Sequence, residues 1–191
     1  MAYDNNLFME HLRKMIQIPT VSNADPDKMD VDAFLKLHAY LEEAYPLVHQ
    51  KMTREVIGRA GLLYTWKGNG KSSHLPLMMT AHLDVVPEGD WSMWKYPPFS
   101  GEVAEGFIWG RGATDSKCNI QAYMDALELL IAEGFEPEYD LHFGFGYNEE
   151  IMGGPEPAAQ LIADTLRERN VKLGCLIDEC GGIQETADGD Q

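Results

Sequence analysis

Residues 75 to 81 read Leu-Pro-Leu-Met-Met-Thr-Ala, a short run that is apolar on both faces. Such a segment belongs in the middle of an α/β sheet, where layers above and below keep it from water. The surrounding pattern agrees. A first helix is expected over 5–17, with Leu7, Phe8, Leu12, Met15 and Ile16 on one face and Pro19 as its stop. Val31 to Ala44 reads as a second helix, followed by Pro46. Strands are expected at Thr53–Ile57 and Gly61–Trp66, around a Gly58 to Gly61 turn and closed by the Gly68-Asn69-Gly70 loop. Beyond a short strand at Phe107–Trp109, a helix is expected over 117–133. It would bury Ile120, Tyr123, Met124, Leu127, Leu130 and Ile131, with Ser116 as N-cap and Gly134 as its end. A strand over 139–147, a helix over 157–170 and a buried strand over 172–177 complete the alternation. The expected fold class is α/β: a mostly parallel sheet with helices on both faces.

Charge narrows the function. The 191 residues hold 15 Lys+Arg against 31 Asp+Glu, a formal net charge of -16. A surface this acidic repels phosphate backbones and anionic headgroups, so neither nucleic acid nor membrane is the expected partner. Bound cations would offset part of that charge. No stretch is apolar for long enough to span a bilayer, and charges interrupt the N-terminal segment, unlike a signal peptide. Cys118, Cys175 and Cys180 form no paired framework, as in a cytoplasmic protein with reduced thiols.

In open α/β sheets, functional groups collect beyond the carboxyl ends of the strands. Four strands here deliver such groups. The run ending at Ala81 leads into His82-Leu83-Asp84; the strand at Phe107–Trp109 leads through Gly110-Arg111-Gly112 to Asp115. The strand ending at Tyr147 delivers Glu149-Glu150, and the last delivers Asp178-Glu179. Any one of these is more often structural or a solvated face. Together they are hard to explain as surface charge, because crowded carboxylates repel one another unless a cation binds. One imidazole with several carboxylates suits a hydrolytic metal site better than a closed structural zinc site. With two metals, one carboxylate could bridge and a shared water could lose its proton near neutral pH. Asp84, two residues after His82 in an extended segment, is better placed to hold the imidazole's other N–H than to bind metal. Glu149 and Glu150 are adjacent and point apart, so one can bind metal while the other takes a proton.

These residues occur within longer signatures. Thr80-Ala81-His82-Leu83-Asp84-Val85-Val86-Pro87 is followed by Trp91, Pro97-Pro98-Phe99 and Gly110-Arg111-Gly112-Ala113-Thr114-Asp115-Ser116-Lys117. Asn148-Glu149-Glu150-Ile151-Met152-Gly153-Gly154 and Leu176-Ile177-Asp178-Glu179 come next, in order. The series resembles the zinc metallopeptidase family of aminoacylase, carboxypeptidase S, carnosinase and succinyl-diaminopimelate desuccinylase, and within it the carboxypeptidase S branch. The resemblance runs from the first helix to about Ile183. It implies two zinc ions, with cobalt or manganese as substitutes. His82 would bind one of them, Asp84 would support His82, and Asp115 would bridge both. Glu149 would be the general base, Glu150 a ligand to the second metal and Asp178 to the first, with Glu179 held in reserve for that last role. It also implies a cis peptide between Asp115 and Ser116.

The implied activity is hydrolysis of a peptide or N-acyl amino-acid amide bond. Two departures qualify it. Cys180 stands where the carboxypeptidase S pattern has glycine. Family members also continue into a lid and dimerisation domain and then supply a last histidine, for which His11, His38, His49, His74 and His142 are no substitutes. On this reading residues 1–183 are the N-terminal part of a catalytic domain and 184–191 a polar tail leading to a lid, through which the whole enzyme forms a homodimer. A truncated, non-catalytic metal-binding or assembly protein is the competing reading. A nucleotide-binding role fits poorly, since no Gly-rich loop links the first strand to its helix.

Overall fold

The computed structural model describes residues 4–151 and 154–179. Its elements run α1 (Asn5–Ile16), α2 (Val31–Ala44), α3 (Pro46–Lys51), β1 (Thr53–Ile57), β2 (Gly61–Trp66) and β3 (Leu77–His82). They continue with β4 (Glu102–Ala104), β5 (Phe107–Trp109), α4 (Lys117–Ala132), β6 (Leu141–Gly146), α5 (Ala158–Glu168) and β7 (Cys175–Ile177). Five strands form one sheet in the order β1-β2-β6-β3-β7, and β4-β5 is a separate hairpin.

The α/β class and the helices on both faces match the expectation, but the sheet is mixed. β2 pairs antiparallel with both β1 and β6, whereas β3 pairs parallel with β6 and β7. The parallel half is the half that carries His82. Side-chain alternation divides the core. Leu62, Tyr64, Phe143 and Phe145 point to the face covered by α1–α4, where Phe34, Leu37, Leu41, Ile120 and Met124 are fully buried. Leu63 and Met78 point the other way, onto Ile162 and Leu166 of α5. Removing an aliphatic side chain of this kind from water is worth roughly 1.5–3 kcal/mol.

Several local readings change. β3 begins at Leu77 rather than Leu75, because Pro76 has no N–H for a ladder and its carbonyl instead accepts from Gly174 N–H at 2.8 Å. Pro46 does more than follow α2. It opens α3, whose Leu47 and Val48 amides are capped by the Glu128 carboxylate at 3.0 and 2.9 Å. The strand expected to be buried over 172–177 pairs only over Cys175–Ile177, and all three residues are exposed. Leu130 of α4 is also exposed, while Gly134 ends that helix with φ 76°.

Candidate metal centre

His82 is the last residue of β3 and is 1% exposed. Its Nδ1 lies 2.9 Å from the Asp84 backbone carbonyl and 3.4 Å from the Asp84 carboxylate. With Nδ1–H donating there, Nε2 is turned outward, 2.8 Å from Asp115 Oδ1. Donor atoms of His82, Asp115 and Glu150 lie within 4.8 Å of one another, a spacing one cation can span. Glu149 and Glu179 flank this group, with carboxylate oxygens 3.7 and 3.5 Å from His82 Nε2.

The Asp84 side chain has partners other than His82. It is 0% exposed, and its two oxygens accept from the backbone amides of Glu149 and Glu150, each at 3.1 Å. A single carboxylate thus ties the segment after β3 to the turn after β6. Near it lies Lys117, also 0% exposed, whose ammonium donates to the Met15 and Ile18 carbonyls at 2.9 and 2.6 Å. Burial pulls Lys117 down to about 7, opposed by the Asp84 charge.

The acidic residues of the cluster crowd one another. Burial raises Glu150, with Asp115 and Asp84 adding to it, and burial likewise raises Glu179. Burial works against a charged His82, but Asp84, Glu179 and Asp115 outweigh it and push the imidazole up to about 10. The potential at this point favours positive charge.

Like Glu179, Asp178 lies outside that group of three. Its carboxylate accepts from the Thr80 hydroxyl and from Glu179 N–H at 3.0 Å, and Glu179 is the residue turned toward His82. Cys180 lies outside the described residues. The Asp115–Ser116 peptide is cis. Beside the cluster, between α5 and the parallel strands, opens a cleft of about 900 Å³. Its far wall is apolar, built by Met78, Ile162, Leu166, Leu173 and Leu176. Among the described residues no helix is long and apolar enough to cross a membrane.

The sequence profile of peptidase family M20/M25/M40 matches residues 78–189, more than half of the chain. The chain belongs to the M20/M25/M40 peptidase family. Carboxypeptidase S of Saccharomyces cerevisiae is 37% identical to this M20 chain over 191 residues, covering 94% of this chain and 33% of the yeast protein. The mouse N-fatty-acyl-amino acid synthase/hydrolase PM20D1 is 38% identical over 178 residues, covering 92% and 34% respectively. The M20 chain therefore spans about a third of the length of these relatives. Among solved structures, the M20 family metallo-carboxypeptidase Sso-CP2 from Sulfolobus solfataricus superposes with TM-score 0.72 at 22% identity, covering 98% of this chain and 39% of that one. Human carnosine dipeptidase 1 gives 0.71 at 17% identity, covering 92% and 38%. At such identities the likeness is one of fold.

Proposed function

We propose that this M20 chain is the metal-bearing part of a hydrolase that cleaves a peptide or N-acyl amino-acid amide bond with the help of two zinc ions. The observation that carries the reading is the convergence of His82, Asp115 and Glu150 donors within 4.8 Å, with Glu149 beside them. The donor set fits: one buried imidazole with an outward Nε2 and several carboxylates suit a hydrolytic zinc site, and Asp115 would be the carboxylate shared by both metals. Bound zinc supplies Lewis acidity and lowers the pKa of a coordinated water.

The remaining work falls to the chain's own residues. Asp84 keeps the imidazole oriented and fixes the backbone of Glu149 and Glu150. Glu150 would hold the second metal, while the neighbouring Glu149 would accept the proton of the attacking water and return it to the leaving amine. For the last ligand to the first metal the reading takes Glu179 in place of Asp178, supported by the 3.5 Å approach of Glu179 to His82 and by the capture of Asp178 by Thr80. The names of the relatives, a carboxypeptidase and an N-fatty-acyl-amino acid synthase/hydrolase, support amide substrates.

The domain organisation belongs to the same reading: residues 1–183 are catalytic-domain structure, and a lid following 184–191 makes the homodimer. The exposed β7 and the apolar cleft wall fit cover by further polypeptide, as do relatives about three times as long. The free thiols of Cys118 and Cys175 fit a cytoplasmic setting. The decisive experiment replaces Glu149 by Gln in the full-length protein. Zinc content should stay at the wild-type level while hydrolysis of peptide and N-acyl amino-acid substrates falls at least a hundredfold, in the usual range for a general base. A Glu149→Gln enzyme with full activity would exclude the assignment.

A further inference from the structure

Ser116 stands at the N-cap position of α4, yet its side chain makes no cap hydrogen bond. Its hydroxyl goes elsewhere. His82 N–H donates to Ser116 Oγ at 3.1 Å, and the Ser116 hydroxyl lies 3.3 Å from the His82 carbonyl, to which it donates. The reason is in the sheet. Leu83 N–H bonds to Gly146 O of β6 at 2.7 Å, so the neighbouring residue, His82, directs its main-chain groups to the opposite side, toward β7. The ladder between β3 and β7 ends at Met79 with Ile177, short of His82. A buried N–H and C=O would be left unpaired there, at a cost of about 1–3 kcal/mol in ordinary proteins. Ser116, 1% exposed, closes that gap with one side chain acting in place of a strand.

The closure joins two segments that each carry a donor. Ser116 follows Asp115 directly, and His82 is 33 residues from Asp115 in the chain, so the hydroxyl links the end of β3 to the loop presenting the Asp115 carboxylate. The same side chain lies beside the Glu179 carboxylate. We propose that Ser116 is a positioning residue whose hydroxyl sets the His82–Asp115 separation and thereby the zinc affinity of the centre. This rests on the metal-centre reading above.

The test measures zinc dissociation constants by competition with a chromophoric chelator, alongside thermal melts of the metal-free protein, for wild type, Ser116→Ala and Ser116→Thr. Ser116→Ala should bind zinc about tenfold more weakly, the lower end of the range for outer-sphere partners of metal ligands. Ser116→Thr, which restores the hydroxyl, should return to near the wild-type value. A Ser116→Ala protein that melts lower but binds zinc like wild type would make the residue merely structural and overturn the inference. Equal weakening in both variants would overturn it too, since bulk and not the hydroxyl would then matter. Should Ser116→Ala not fold, Ser116→Cys, similar in size but a weak hydrogen-bond donor, takes its place with the same outcomes. Absence of zinc binding by the wild type would refute the metal-centre reading itself, and with it this inference.

Discussion

Replacing Asp84 by Asn tests how the centre is built. The carboxylate is fully buried and each of its oxygens accepts one amide, from Glu149 and Glu150. An asparagine side chain of the same shape offers one oxygen and one NH2, so one amide would face a donor. Losing one charge-assisted bond costs roughly 1.5–3 kcal/mol. Removing the charge also leaves the buried Lys117 ammonium without the carboxylate that opposes its desolvation. Together the loss should be about 2–4 kcal/mol, a substantial part of the roughly 5–15 kcal/mol that holds a domain folded. Urea unfolding of the metal-free protein measures it, as a lower midpoint at unchanged m-value. Glu149→Gln provides the contrast. Its side chain is 57% exposed, so its unfolding free energy should stay within about 0.5 kcal/mol of wild type. An Asp84→Asn protein less than about 1 kcal/mol below wild type would refute the idea that this carboxylate braces the turn after β6.

Three further outcomes are expected. Glu179→Gln should weaken zinc binding about tenfold or more while Asp178→Asn changes it little, as read by the same chelator competition; the reverse order would return the ligand role to Asp178. Asp115→Ala should abolish zinc binding by removing the central carboxylate, and retained stoichiometric zinc in mass spectrometry of the native protein would contradict that. Burial lowers both His38 and His142 below the usual 6.5. Below that value the unfolded chain binds protons that the folded one refuses, so their contribution is fully favourable above about pH 6.5 and turns against the fold as pH drops. Urea midpoints should therefore fall between about pH 7 and pH 5, and fall less steeply in the His38→Gln, His142→Gln double variant; parallel slopes would show that other groups set the acid limit.

Much of the parallel half of the sheet was legible, because strand period and apolar runs fix where His82 and Glu149-Glu150 leave the sheet; Asp115 instead follows the separate β4-β5 hairpin. Direction was not. The alternation in Gly61–Trp66 tells which side chains share a face, and it is the same whether the strand runs with or against β6. Burial of β7 was misread for a related reason. An apolar run shows that a segment can be covered, but cover depends on a partner, and among the described residues the cover of Leu176 and Ile177 is only partial. The proposed preference for Glu179 over Asp178 rests on Thr80, a hydroxyl 98 positions before Asp178 that no local pattern connects to it. Ser116 looked like an ordinary helix cap because its composition signal is the same whether its hydroxyl bonds its own helix or a distant strand.

The parts of the centre come from far apart: His82 and Asp115 are separated by 33 residues, and Asp84 meets the amides of Glu149 and Glu150 across 65 and 66. No short stretch of the coil resembles the finished site, so a cation has nothing to grip until β3, β6 and β7 lie side by side. Its binding energy then falls almost wholly on the native side of the folding barrier. Zinc should leave the rate of folding nearly unchanged and slow the rate of unfolding. On the metal-centre reading, zinc would act as a latch on a sheet already assembled around its apolar core.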